Sequence, residues 1–129
     1  MIYLDTSVAL AQLLGEDRRP PVTLWREPLI SSRLLEYELW NRVFARKVPA
    51  RAHDEVNALL EQVSLVELSP AVLGRALRPF PASVRTLDAL HLATLDYLQG
   101  NDRRIRLATY DERMERTADL MKIEVLDLG

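Results

Sequence analysis

The sequence predicts an α/β protein: a three-layer α/β/α sandwich around a central, mostly parallel sheet of about five strands. Short apolar runs of strand length alternate with segments of helical period along the chain. The 129 residues suit one core, with about 68% of the unfolded surface buried on folding. No internal repeat or linker divides them, so one domain over residues 1–129 is expected. Strands alternating with helices fold best as a parallel sheet covered on both faces through right-handed crossovers.

"MIYLD" reads as a short buried strand. "TSVALAQLLGED" then shifts to helical spacing at Val8, Leu10, Leu13 and Leu14 and ends near Gly15. In "DRRPPVTLWRE", Pro20 and Pro21 sit where a helix can begin, because proline suits a first turn. "PLIS" is the second strand. Ser31 or Ser32 can cap the long helix "SRLLEYELWNRVFARKV", which is apolar nearly all round through Leu34, Leu35, Leu39, Trp40, Val43 and Phe44. Such a helix is expected to have neighbours on more than one side. After Pro49, "ARAHDEVNALLEQV" carries Val56, Leu59, Leu60 and Val63 in one stripe.

"SLVEL" is the third strand, and "SPAVLGRAL" restarts helix with Ser69 as cap and Pro70 in the first turn. "RPFPASVRT", with two prolines, is the most loop-like segment. "LDALHLATLDYLQ" is a helix with Leu87, Leu90, Leu95 and Leu98, ending at Gly100. "RIRLATY" is the fourth strand, "DERMERTADLM" a short helix and "KIEVLDL" the fifth strand. Trp25 and Trp40 are expected in the core.

Composition narrows the function classes. With 48% hydrophobic and 28% charged residues, and Pro plus Gly at 11, disordered and collagen-like classes are excluded. There is no cysteine, so disulfides and thiolate zinc sites are impossible, and a reducing cytoplasm is the expected location. No apolar stretch approaches a membrane span, and the first is broken by Asp5 without a basic flank, so neither anchor nor leader is expected. A net charge of −2 argues against holding nucleic acid by bulk charge, so a polyanion would need a local patch. Fifteen of the 17 basic residues are arginine, which suits bidentate contacts to phosphate but equally an arginine-rich surface. Among four glycines no G-x-S-x-G, G-x-G-x-x-G or P-loop motif occurs, which removes serine-hydrolase and P-loop chemistry.

The acids remain. In open α/β sheets the ligand crevice lies beyond the carboxyl ends of the strands. Asp5 ends the first strand, and Asp111 lies two residues past the fourth. Each is also a natural N-cap for the helix that follows. Asp88 lies near the start of its helix, after Thr86. Glu36 and Glu38 are two apart and point to different sides, so one site can use only one of them.

Four stretches in order carry a family resemblance: "IYLDTSVAL", "SSRLLEYELWNR", "LDALHLATLDYL" and "LATYDERM". Together they resemble the PIN domain, and within it the VapC-type toxins of bacterial and archaeal toxin–antitoxin pairs, over essentially the whole chain. The first gives the opening acid, Asp5, with Thr6 and Ser7 in the usual small hydroxyl positions. In the second, the family's glutamate sits six residues after the serine and directly before a leucine, which selects Glu38. The third gives Asp88, and the fourth gives Asp111 with Thr109 two residues earlier. The acids are spaced by 33, 50 and 23 residues.

The resemblance implies that Asp5, Glu38, Asp88 and Asp111 form a catalytic metal site. It implies direct ligation by Asp5 and Asp111, with Glu38 or Asp88 holding water on the cation. Thr6 and Thr109 become hydroxyls that orient the carboxylates. It further implies an endoribonuclease, a homodimer, and a cognate antitoxin that wraps over or plugs the site. Electrostatics agree: carboxylates converging within about 4 to 6 Å repel by roughly 1 to 4 kcal/mol per pair, so such a cluster must be protonated or metal-bound. Oxygen-only ligation points to Mg²⁺, with Mn²⁺ possible, and so to phosphodiester chemistry.

An acidic site needs cations around it to accept RNA, and Arg18, Arg19, Arg42, Arg46, Lys47 and Arg85 are the candidates. Asp96, eight residues after Asp88, is about 12 Å further along the helix and is expected to be a surface charge. His91 shares a face with Asp88 at i, i+3 but is expected simply to pack, and His53 sits on a polar helix start. The alternative is a non-catalytic PIN-fold RNA- or protein-binding module that keeps the acids by descent. An aspartyl-nucleophile phosphatase generally wants a second acid two residues on, where this chain has Ser7.

Overall fold

In a strand that is buried on both faces, successive side chains feed two different cores. The first strand of the computed structural model does this: in β1 (Ile2–Leu4), Ile2 and Leu4 enter one apolar cluster and Tyr3 the other, all fully buried. The structure describes residues 1–15, 17–100 and 104–129. Among these, β1 is followed by α1 (Thr6–Leu14), a 3-10 turn (Val22–Arg26), β2 (Leu29–Ser32), α2 (Leu34–Ala45), α3 (Arg51–Glu61), β3 (Val63–Val66), α4 (Pro70–Ala76), α5 (Thr86–Gln99), β4 (Arg106–Ala108) and α6 (Glu112–Leu120). The α/β/α class expected from the sequence is the one observed.

The sheet is parallel, in the order β3-β2-β1-β4. Tyr3 lies opposite Ile30 on one side and Leu107 on the other. The chain thus adds β2 and β3 on one side of β1, then crosses to place β4 on the other. The β1–β4 boundary is the topological switch point, where loops leave in opposite directions and open a crevice. On one face Leu4, Leu29, Leu35, Leu39, Val56 and Leu59 join α1, α2 and α3 to the sheet. On the other, Tyr3, Ile30, Leu92, Leu95, Leu107 and Met114 join α5 and α6.

Local signals act as the sequence suggests at several ends. Gly15 takes a left-handed conformation (φ 59°) and its N–H closes α1 on Ala11 O. Ser69 Oγ accepts from Val72 N, with Pro70 in the first turn of α4. Of the two serines ahead of α2, Ser32 accepts from Leu34 N, while Ser31 donates to Leu4 O and stitches β2 to β1. After Pro20 and Pro21 the chain makes only the 3-10 turn.

One expectation changes and two gain detail. The fifth strand is absent among the described residues: "KIEVLDL" makes one parallel bridge, Leu107 to Val125, with hydrogen bonds from Leu107 N to Glu124 O and from Leu126 N to Leu107 O. Its neighbour β4 is only three residues long, and Asp127 then turns the chain by accepting from Gly129 N. Helix α2 has the expected neighbours on more than one side, α1, α3 and β2, while Tyr37 and Phe44 are 62% and 63% exposed. Phe44 stacks on half-buried Trp40 at 5.6 Å, and His53 of α3 sets its ring edge against both. Asp96 is a surface charge, but a paired one: it bonds Arg75, whose guanidinium also lies 4.4 Å from the Phe80 ring centroid, tying α5 to α4. No helix among the described residues is long and apolar enough to cross a membrane.

Candidate active site

Asp5 leaves β1 at its carboxyl end, where its N–H bonds Ala108 O and so fixes it beside the end of β4. Its hydrogen bonds all fall on Oδ2: from Ser7 Oγ at 2.6 Å, Thr109 Oγ1 at 2.8 Å and, at 3.4 Å, from Ser7 N. Among the described residues no donor takes Oδ1. Ser7 Oγ in turn accepts from Tyr110 N at 2.9 Å, and Thr109 Oγ1 accepts from Asp111 N at 3.0 Å. A web of hydroxyls therefore locks the two strand ends together.

The other acids arrive from different elements. Asp111 caps α6 with Oδ1, which accepts from Arg113 N at 2.9 Å and Met114 N at 3.2 Å. Glu38 comes from α2, and its Oε1 accepts from Thr6 Oγ1 at 2.8 Å and lies 2.6 Å from His91 Nε2. Asp88 stands in the first turn of α5. All four line one cleft of about 380 Å³ at the switch point, together with Thr6, Ser7, Arg42 and Arg85. Glu36 faces elsewhere and pairs with Arg33 at 3.5 Å.

The charges there are only partly resolved by the protein. Burial first, then the charges of Asp111 and Asp5, hold the Asp88 carboxyl above its ordinary range, against the opposing pull of Arg85 and His91. Arg85 bridges two of the acids, with Nε 3.4 Å from Asp88 Oδ2 and Nη2 3.3 Å from Asp111 Oδ2. The gathering is incomplete: among the described residues no three acid or imidazole side chains stand as a group that could hold an ion. The donor chemistry nevertheless fits a hard divalent cation. The set is oxygen only, and each carboxylate keeps at least one oxygen that no main-chain or hydroxyl donor claims.

A PIN domain model matches residues 2–120. The chain belongs to the PIN-domain family. This PIN chain is 33% identical to ribonuclease VapC46 of Mycobacterium tuberculosis, over 97% of its own length and 95% of that protein. It is 31% identical to ribonuclease VapC47 of the same species, over 88% and 87% of the two chains. The crystal structure of Mycobacterium tuberculosis VapC20, described as a Sarcin-Ricin loop cleaving toxin, matches with a TM-score of 0.68 over 90% of this chain and 94% of that one. At 19% identity that likeness speaks for the fold.

The same geometry gives roles to residues that sequence reasoning passed over. Ser7, noted only as a small hydroxyl, makes the shortest bond to Asp5. Arg85, a candidate for RNA contact, also bridges two of the acids. Arg18 lies over the Tyr110 ring at 5.2 Å, and with Arg19 and the C-terminal residues 126–129 it lines a separate cleft of about 500 Å³. His91 is buried and polar-bonded at both nitrogens. Burial disfavours its charged form most strongly, yet the Glu38 hydrogen bond and the charges of Asp5, Glu38 and Asp88 together raise its pKa above the usual value. Its i, i+3 spacing from Asp88 was the available signal.

Proposed function

We propose that this PIN chain is a Mg²⁺-dependent endoribonuclease, also served by Mn²⁺, and the toxin of a type II toxin–antitoxin pair. One observation carries the reading: four acids from four separate elements share a cleft at the sheet's switch point, each with an oxygen left over from its structural bonds. Asp5, Glu38, Asp88 and Asp111 hold the cation. Thr6, Ser7 and Thr109 fix the outer oxygens of Glu38 and Asp5. When bound, the cation activates water and offsets charge on the phosphoryl oxygens.

The chain's own residues supply the rest. The negative cleft orients RNA only if cations flank it. Arg42 lines the cleft on the α2 side. Arg85, whose side chain is 69% exposed, can turn from the acids to a phosphate. RNA as substrate is supported by the ribonuclease relatives VapC46 and VapC47, and a cognate antitoxin covering the cleft and a cytoplasmic location complete the reading. A homodimer is supported also by the exposed Tyr37 and Phe44 of α2.

The test is cleavage of a mixed RNA by purified protein. Cutting should require added Mg²⁺ or Mn²⁺ and vanish in Asp5→Asn, while the circular-dichroism spectrum is kept. Undiminished cutting in excess chelator would refute the metal mechanism. Absence of cutting, with tight RNA binding retained, would favour the non-catalytic module.

A further inference from the structure

The least economical feature of the core is a chain of polar groups that leads to the cleft. Tyr3, at the middle of the central strand, and His91, on the inner face of α5, are both buried. Buried polar groups cost free energy unless bonded, and a phenylalanine and a leucine would fill the same space without that cost. Here every polar atom is used. Tyr3 Oη lies 2.8 Å from His91 Nδ1, and the two rings meet edge to face at 5.8 Å. His91 Nε2 lies 2.6 Å from Glu38 Oε1 and 3.3 Å from Thr6 Oγ1, which itself donates to the same Glu38 oxygen at 2.8 Å.

Nε2–H donates to Glu38 Oε1 whether His91 is neutral, with Nδ1 accepting from Tyr3 Oη, or charged, with Nδ1–H donating to that oxygen, so the bond to Glu38 keeps its direction. Two elements, α1 and α5, therefore meet on one oxygen of a side chain carried by a third, α2, and β1 backs α5 there through Tyr3. Among the described residues Glu38 Oε2 has no such partner. A glutamate has an additional rotatable bond compared with an aspartate, and it is the acid of the site that most needs holding.

We propose that His91 and Tyr3 are positioning residues for Glu38, clamping Oε1 so that Oε2 is presented to the cation cleft. This rests on the metal-site reading above. Neither residue lines the cleft, so neither meets RNA. Their loss acts through Glu38, on cation affinity and on the rate of the bound complex.

The experiment is a Mn²⁺ titration followed by electron paramagnetic resonance, paired with RNA cleavage kinetics and thermal melting. His91→Leu should weaken Mn²⁺ binding by roughly 10- to 100-fold, the usual effect of removing a partner that orients a ligand. It should lower kcat with little change in the KM for RNA. His91→Gln, whose amide can still donate to Glu38, should fall between the wild type and His91→Leu. Tyr3→Phe removes a single hydroxyl and should weaken Mn²⁺ severalfold, and it carries the test if His91→Leu does not fold. A folded His91→Leu or Tyr3→Phe protein with wild-type Mn²⁺ affinity and wild-type kcat overturns the inference and leaves the nuclease reading standing. Wild-type protein that binds no Mn²⁺ overturns both.

Discussion

Arg85→Gln should tighten cation binding while loosening RNA capture. The Arg85 guanidinium lies 3.4 Å from Asp88 and 3.3 Å from Asp111, so a divalent ion would compete with it for two of the four proposed ligands. At that separation each pair is worth about 1 kcal/mol even in bulk water. The side chain is 69% exposed, so screening and side-chain entropy reduce this toward the 0.2–1 kcal/mol found for surface pairs. Removing both pairs therefore releases about 0.4–2 kcal/mol toward the cation, or roughly a 2- to 30-fold tighter Kd. A Mn²⁺ titration without RNA reads this directly. With RNA present, loss of one phosphate contact should raise KM and shallow its dependence on salt by about one unit of slope. Weaker Mn²⁺ binding in a folded Arg85→Gln protein would refute the reasoning, because it would mean that the guanidinium holds the acids in place rather than competing for them.

Cation binding should also appear as stability. Mn²⁺ at about 100 times its Kd stabilises the native state by about 2.7 kcal/mol. At roughly 3–6 °C per kcal/mol for a chain of this size, the melting temperature should rise by about 8–16 °C. Asp88→Asn should melt higher than the wild type without metal at neutral pH. The folded carboxyl pKa is raised, so Asp88 favours folding only while protonated, and that contribution is lost as pH rises through the folded pKa. The advantage of Asn should narrow as pH falls toward the unfolded carboxyl pKa of about 3.9, and it should reverse at neutral pH once Mn²⁺ is added. Ser7→Ala strands Tyr110 N–H and frees Asp5 Oδ2 of its shortest bond, so it should cost about 1–3 kcal/mol in urea unfolding and weaken Mn²⁺.

Much of the fold was legible because the strands are short and buried on both faces. "IYL" and "LIS" read as strands from composition alone, and the alternation of strand with helix then leaves few topologies. Legibility failed where neighbours decide. "KIEVLDL" has the composition of a strand, yet it can pair with β4 at one residue only before Asp127 turns it away. Phe44 looks like core by type, and its exposure depends on where α3 crosses α2, which no local pattern encodes. In the site, Asp5 and Asp111 were visible as acids at strand ends. Glu38 and Asp88 were not, since a carboxylate on a helix looks like any solvated charge. Only the family motif separated Glu38 from Glu36. The Tyr3–His91–Glu38 chain joins residues 88 and 53 positions apart and has no signature in the sequence.

The sequence posed the strand-end aspartates as a choice between helix cap and ligand, and the structure divides the two duties by atom. Asp111 gives Oδ1 to the backbone of α6, and its Oδ2 faces the Arg85 guanidinium, the position proposed for the cation. Asp5 spends Oδ2 on Ser7 and Thr109 and leaves Oδ1. An asparagine can reproduce the accepting oxygen in each case, but it puts an uncharged amide nitrogen in place of the proposed ligand oxygen. Asp5→Asn and Asp111→Asn should therefore leave the melting temperature within a few degrees of the metal-free wild type and abolish its rise with Mn²⁺. Alanine at either position should also remove the accepting oxygen and cost about 0.5–2 kcal/mol of stability. Equal losses of stability for Asn and Ala would mean that the two oxygens do not act separately, and the cleft would then lose its claim to hold an ion.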